Sequence, residues 1–286
     1  MRKLLRADFA RLFRDKLFYL AIAVLVGFEI MAMSEGYRLI HKYHYPITMT
    51  EYLFIYFQMF GLVLSVFASL HMGRQYSDGT IRNKLVVGHR RYAVYLAELI
   101  TMVVAAVIMH AVTFLTGYVI GGLFLGGFPE NASLWIWPLI CGVFTTISYA
   151  AIFTLIGMLC SQKAVTAVIS ILASFFLLLG ASYLNNALSQ PEMIPEYEFV
   201  VGEFSTEEDV EEMMHYDKMS KNPSYLGEGF KRDCYQFLFD ALPGGQSYRI
   251  ASLEVEKPEL YAGYSVMIAI MTGGAGCIAF RRKDIQ

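Results

Sequence analysis

Side chains able to do acid–base, nucleophilic or metal chemistry are numerous in this sequence, but few of them are grouped. Glu211, Glu212 and His215 stand close together in a hydrophilic stretch, where water competes for every proton they hold. His41 and His44 could reach one metal ion. Without a cysteine or carboxylate beside them at ligand spacing, two imidazoles make an incomplete site. Cys141, Cys160 and Cys277 lie in apolar runs and read as small hydrophobes, and Cys234 has no partner at zinc spacing. A phosphate loop needs Gly-x-x-x-x-Gly-Lys followed by Ser or Thr, so that successive backbone N–H groups wrap a phosphate. Gly227-Glu228-Gly229 followed by Phe230-Lys231 lacks the spacing, the hydroxyl and a preceding strand. A protease working inside an apolar layer would need acids, or a nucleophile and its base, converging within that layer, and no apolar stretch carries such a set. The chain is therefore not expected to be an enzyme. The polar groups left inside apolar stretches stand singly: Glu29, Gln58, Glu98 and His110. Glu29 reads as an interface residue in water or as a contact on a path through the layer. Glu98 reads as the partner of a basic loop residue such as Arg90 or Arg91. His110 and Gln58 read as hydrogen-bonded core residues or as path residues.

These singletons sit in long apolar runs. Hydrophobic residues make up 56% of the 286 positions, charged residues 17%, and mean hydropathy is +0.46. An ordinary soluble domain carries about 25% charged residues. A bilayer-crossing helix needs about 20 mainly apolar residues, and six stretches qualify: 17 to about 33 with a continuation toward 40, then 52–71, 93–125, 134–160, 164–184 and 260–280. The reading is an all-α polytopic membrane protein. Residues 1–184 would hold an N-terminal helix and five spans, 185–259 an extramembrane segment, and 260–286 the sixth span with a basic tail.

Charge orients the spans. Residues 1–16, 72–92, 161–163 and 281–286 hold 15 of the 23 Lys and Arg in 46 positions. By the positive-inside tendency these pieces, and so both termini, belong in the cytoplasm. Residues 190–259 hold 16 Asp or Glu against 6 Lys or Arg and fall outside. Within them, residues 205–208 form a capping-box pattern opening a helix toward about residue 220. Residues 230–242 form an amphipathic helix stopped by Pro243-Gly244-Gly245. Asn131-Ala132-Ser133 is a glycosylation sequon, meaningful only in a eukaryotic source. At the N-terminus Leu5, Phe9, Leu12 and Phe13 share one helical face, and Lys3, Arg6, Arg11 and Arg14 lie largely on the other. That pattern predicts a helix lying in the membrane interface rather than a cleaved signal peptide.

The loop after the second span is too long for a simple turn. Asp78-Gly79 punctuates it, and Thr80 is placed to cap a short helix. That helix would present Arg82 and Lys84 to the cytoplasm and pack Ile81 and Leu85 against the spans. The string Gly79-Thr80-Ile81-Arg82-Asn83-Lys84-Leu85, followed by Gly88-His89-Arg90 and Tyr95-Leu96, resembles the permease subunits of bacterial ABC-2 type exporters. Two further features echo the same family: Leu242-Pro243-Gly244-Gly245-Gln246 before the last span, and the tail Phe280-Arg281-Arg282-Lys283-Asp284.

The resemblance implies an interfacial elbow helix, six spans, an external helical segment between spans five and six, and a coupling helix in loop 72–92. Tyr76, Asp78, Gly79, Thr80, Ile81, Arg82, Asn83 and Lys84 would then engage a separate ABC ATPase subunit, present in two copies and holding ATP and Mg. A second permease half, an identical copy, would complete a path by which an amphipathic substrate leaves the cell. Glu29, Gln58 and His110 are the candidate path residues. Similarity to exporters of antimicrobial peptides, the Phe- and Met-rich spans and the acidic outer segment point to a peptide cargo. The expected location is the bacterial cytoplasmic membrane, with no nucleic-acid partner. A membrane sensor or scaffold with an external ligand-binding segment is the alternative.

Overall fold

Asp15 punctuates the first corner of the chain: its side chain accepts from the backbone N–H of Leu17 at 3.0 Å, satisfying a donor that the following helix would leave orphaned. The computed structural model describes residues 1–44, 48–126, 133–195 and 219–283. Before the corner runs α1 (Arg2–Leu12) and after it α2 (Lys16–Tyr43), which closes on His44 in the left-handed region at φ 56°. There follow α3 (Phe57–Ser77), α4 (Thr80–Val86), α5 (Arg91–Phe124), α6 (Ser133–Leu159) and α7 (Lys163–Leu188). A short antiparallel ribbon of β1 (Met193–Pro195) and β2 (Met219–Lys221) pairs Ile194 with Ser220. The chain continues as α8 (Phe230–Ala241), α9 (Pro243–Ala251) and α10 (Pro258–Arg282).

Five helices, α2, α5, α6, α7 and α10, are long and apolar enough to cross a membrane. Their outward faces carry what lipid requires. Leu20, Val24 and Met31 of α2 and Leu172, Phe176 and Leu179 of α7 are exposed apolar side chains. The inward stripe of α2 is Phe18, Ala21, Leu25, Glu29, Met33 and Gly36, at helical spacing. The 21-residue α3 is not among the five. It packs against α2, α6, α7 and α9, and 12 of its 21 residues are buried. A helix surrounded by side chains need not be uniformly apolar. Its inner residues include Ser65, Ser69, His71 and Gln75, all buried.

Three boundaries differ from the sequence reading. Residues 52–56, expected inside the second span, instead enter the core through successive tight turns in which the N–H groups of Tyr52, Leu53 and Ile55 bond carbonyls three residues back, with Leu53, Phe54 and Tyr56 fully buried. At its other end α3 continues past His71, because His71, Arg74 and Gln75 find acceptors there. Pro243 does not only stop α8; it also opens α9 as its first helical residue, where a missing N–H costs nothing. A Cβ on Gly245 would collide with the carbonyl oxygen of Phe239, so the corner closes only on glycine. Gln246 then sits buried between α6 and α10. Its Oε1 accepts from Thr145 at 2.9 Å and from Ser265 at 2.6 Å, and its Nε2 donates to the carbonyls of Asp240 and Tyr261. The capping box at 205–208, Glu211, Glu212, His215, the sequon asparagine and Asp284 lie outside the described residues. Where the expected helix would end, Met219–Lys221 is strand instead.

Candidate functional site

Gly79 sets the geometry of the loop after α3. Its φ of 65° puts it in the left-handed region, with no atom near the missing Cβ, so the glycine is needed for backbone conformation alone. It serves as the N-cap of α4 without a side-chain bond. Thr80, expected as the cap, is the first helical residue instead. Gly88, at φ 95°, closes the other side, and α5 begins after Arg90. The seven residues of α4 are thus held between two sharp left-handed turns.

The short helix has two faces. Asp78 precedes it on the surface, and Arg82, Asn83, Val86 and Val87 are exposed, the two valines 77% each. Ile81 is buried, and Leu85 packs against the core. Lys84, expected in solvent, is buried. Three residues after Ile81, it falls on the inward face. Its ammonium lies 2.6 Å from Asp8 Oδ1 and 2.5 Å from Glu98 Oε1, and it donates to Gln75 Oε1 at 3.3 Å. Gln75 Nε2 in turn donates to Glu98 Oε2 at 2.8 Å. One ammonium therefore joins α1, α3, α4 and α5. Glu98 does pair with a basic residue of the loop, but with Lys84 and not Arg90 or Arg91, because Lys84 points inward while the two arginines lie beyond the turn at Gly88. Burial drives the Asp8 carboxyl above its ordinary pKa, and the nearby Glu98 adds to the rise. Lys84 and Arg11, the latter 3.5 Å away, act in the opposite direction.

Asp8 was missed by the sequence reading. The buried face of α1 is Leu4, Asp8 and Leu12, whereas Phe13, assigned to the apolar face, is exposed. The signal was present in the i, i+4 spacing of the acid between two leucines. A second ionic contact ties the α1–α2 corner to α3: Asp15 accepts from His71 at 2.8 Å and from Arg74 at 3.0 Å. Burial alone would raise the Asp15 pKa. The bonds from His71 and the Leu17 N–H and the charge of Arg74 outweigh it and hold the carboxyl below its usual value. Tyr76, also assigned to the coupling group, faces inward. Its hydroxyl donates to the Met158 carbonyl at 2.5 Å and accepts from Lys283 at 2.9 Å, which pins the end of α10 to α3 and α6.

The candidate path residues are not brought together. Glu29 is midway along α2 and fully buried, not in water. Its carboxylate is turned toward the Tyr56 backbone N–H but makes no hydrogen bond within ordinary limits, and it fills the space that Gly117 leaves by having no side chain. His110 is a buried, bonded core histidine. Nε2 faces the Leu139 carbonyl at 3.3 Å and so carries the proton, and Nδ1 accepts from Tyr56 at 2.8 Å. Gln58 is exposed, and no side-chain hydrogen bond holds it among the described residues.

A family model described as ABC-2 family transporter protein matches residues 4–180. The match takes in α1 through most of α7, including α4 and every member of the Lys84 cluster, and it leaves out the ribbon and α8 to α10. No curated protein matches the sequence. The chain belongs to the ABC-2 transporter family. It is a multi-pass membrane component of an ABC transporter, and the ATPase activity of such a system lies in a separate subunit with which it partners.

Proposed function

We propose that the chain is one six-span half of an exporter in the bacterial cytoplasmic membrane, with α3 as the sixth span, both termini in the cytoplasm and α1 as an elbow helix in the interface. The second half is an identical copy. Two ATPase subunits hold ATP and Mg and drive alternating access, and α4 is the coupling helix on which they push. The observation that carries this reading is the Lys84 cluster. A seven-residue helix held only by apolar contacts would yield to a push. Anchored by a buried ammonium between Asp8 and Glu98, it transmits displacement to α1, α3 and α5 together. The exposed face offered to the ATPase is Arg82, Asn83, Val86 and Val87.

The cargo is proposed to be amphipathic, with a peptide toxin or antimicrobial peptide as the leading class. Support comes from the composition of the path-forming helices, rich in Phe and Met, and from the acidic segment between α7 and α10. Glu29 stays a candidate path residue by virtue of its unsatisfied carboxylate. Gln58 and His110 have less support, since one is exposed and the other is fully bonded. The test is copurification of the chain with an ABC ATPase subunit, followed by transport and ATP hydrolysis in proteoliposomes. Arg82→Glu with Val87→Asp, on the exposed face alone, should lower transport at least about tenfold while the spans stay folded. Normal transport by that variant would sink the coupling assignment.

A further inference from the structure

A cationic cleft at the junction of α5 and α10 takes no part in the arrangement described above. It is lined by Arg90, Arg91, Tyr92, Cys277, Ile278 and Arg281 and encloses about 610 Å3. Three guanidiniums border it, and among the described residues none has a carboxylate within ion-pair distance. Arg90 donates to Tyr92 Oη at 3.2 Å and Arg91 to the Lys283 carbonyl, which leaves most of their N–H groups free. The 34-residue α5 starts at this point with no side chain capping its N-terminus, so its positive end adds to the field.

The cleft is not simply a basic surface. Cys277 and Ile278 form an apolar wall, and Ile278 is exposed. Two turns back on the same face of α10 Met271 is exposed, and so is its neighbour Ile270. On α10 the change from apolar to basic falls between Phe280 and Arg281, the depth at which hydrocarbon gives way to headgroups. Charge at the mouth and an apolar track leading into the layer match a ligand with a phosphate at one end and acyl chains at the other. Basic pockets between spanning helices recognise anionic lipid headgroups through this combination. A docked protein would leave the apolar track unused, and so would free phosphate.

We propose that the Arg90–Arg281 cleft binds the phosphate of an anionic membrane lipid, with the acyl chains lying along Ile278, Met271 and Ile270. The leaflet assignment rests on the six-span topology proposed above. The binding itself depends on neither the ATPase nor the cargo. The test uses the purified full chain in neutral detergent, titrated separately with phosphatidylglycerol, with phosphatidylcholine of the same chain length, and with inorganic phosphate. Binding is read by protection against thermal unfolding. Phosphatidylglycerol should bind at least about tenfold more tightly than phosphatidylcholine. Arg90→Gln with Arg281→Gln should lose about tenfold or more of that affinity. Both arginines are exposed, so the fold is not at stake, and Arg90→Lys with Arg281→Lys should recover most of the binding. Arg38→Gln with Lys42→Gln, which removes equal charge at the far end of α2, should bind as the unaltered chain does. Undiminished binding by the Arg90/Arg281 glutamine variant, or an equal loss in the Arg38/Lys42 control, would overturn the proposal. Inorganic phosphate binding as well as phosphatidylglycerol would replace it with a soluble-anion site. A glutamine variant that keeps lipid binding but no longer copurifies with the ATPase would reassign the cleft to the protein partner. Because the titration needs no ATPase, its failure leaves the exporter reading standing.

Discussion

Lys84 gives up its hydration to stand between two carboxylates that have given up theirs. Such clusters contribute little net stability while intact, but breaking one strands uncompensated charge. Lys84→Met is expected to cost about 3–5 kcal/mol, because Asp8 and Glu98 would then face each other buried. Adding Asp8→Asn to Lys84→Met should recover part of that loss. Reversible unfolding of the two variants in mixed micelles measures both quantities, and a loss equal to that of an exposed lysine would refute the role. The two acids at the end bearing α1 and α4 also differ in sign. Asp15, with its folded pKa lowered, contributes stability that is present above about pH 4 and is lost as pH falls through the folded value. Asp8, with its folded pKa raised, contributes stability that is full below about pH 4 and is lost as pH rises through the folded value. In Asp15→Asn the acid limb of a melting-temperature profile should therefore flatten, while the decline on raising pH persists. Little of this was legible in the sequence. The string around Lys84 located the loop, and the step of three from Ile81 could have placed Lys84 on the inward face, but nothing local names Asp8 and Glu98 as its partners. Asp8 drew no reading from the sequence, and its partner Lys84 lies 76 positions away.

Elements were read more reliably than residues, since periodicity and length are local properties. The apolar runs marked α2, α5, α6, α7 and α10 to within a few residues, apart from the C-terminal end of α2. The errors came where tertiary contacts override local signals, at the non-helical approach to α3 and at α9, whose opening Pro-Gly-Gly reads as a stop. The α4 element can be tested through its backbone. With open space around Gly79, any effect of substitution comes from φ alone. Gly79→Asn, which visits the left-handed region, should be tolerated. Gly79→Val should cost about 1–2 kcal/mol and uncouple ATP hydrolysis from transport. Equal behaviour of the two variants would show that the turn does not matter. For α9 the corresponding test is Gln246→Leu. Its amide satisfies groups on α6, α8 and α10, so its loss should destabilise by about 1–3 kcal/mol with ATPase binding intact. A variant as stable as the parent would mean that the amide knot adds nothing.

Across the whole molecule the ionic contacts that join several helices at once concentrate at one end. At the end bearing α1, α4 and the tail, buried ionic and charge-assisted bonds join Asp8, Lys84 and Glu98, then Asp15, His71 and Arg74, and Lys283 reaches Tyr76. Around the far end of α7, Ala181, Leu184 and Phe239 form a small apolar cluster separate from the main core; the ion pair beside it, Arg249 with Asp240 at 2.8 Å, joins α8 to α9 and does not reach α7, to which Arg232 of α8 donates a single bond at the Leu188 carbonyl. Tightly paired charges have one low-energy arrangement, whereas a few aliphatic contacts can slide or part at a cost of about 1–3 kcal/mol each. A push on α4 should then carry the ionic end as a single body and open the molecule at the apolar end. Hydrogen exchange of the complex with its ATPase, compared between nucleotide-free and ATP-trapped states, separates this from independent motion of α4. Amides of α1, α4 and the first turns of α5 should exchange alike in the two states. Those of the last two turns of α7 and of α8 should change severalfold. If α4 deprotects on ATP binding while α1 does not, the lever is not rigid, and the ionic cluster is a hinge rather than a clamp.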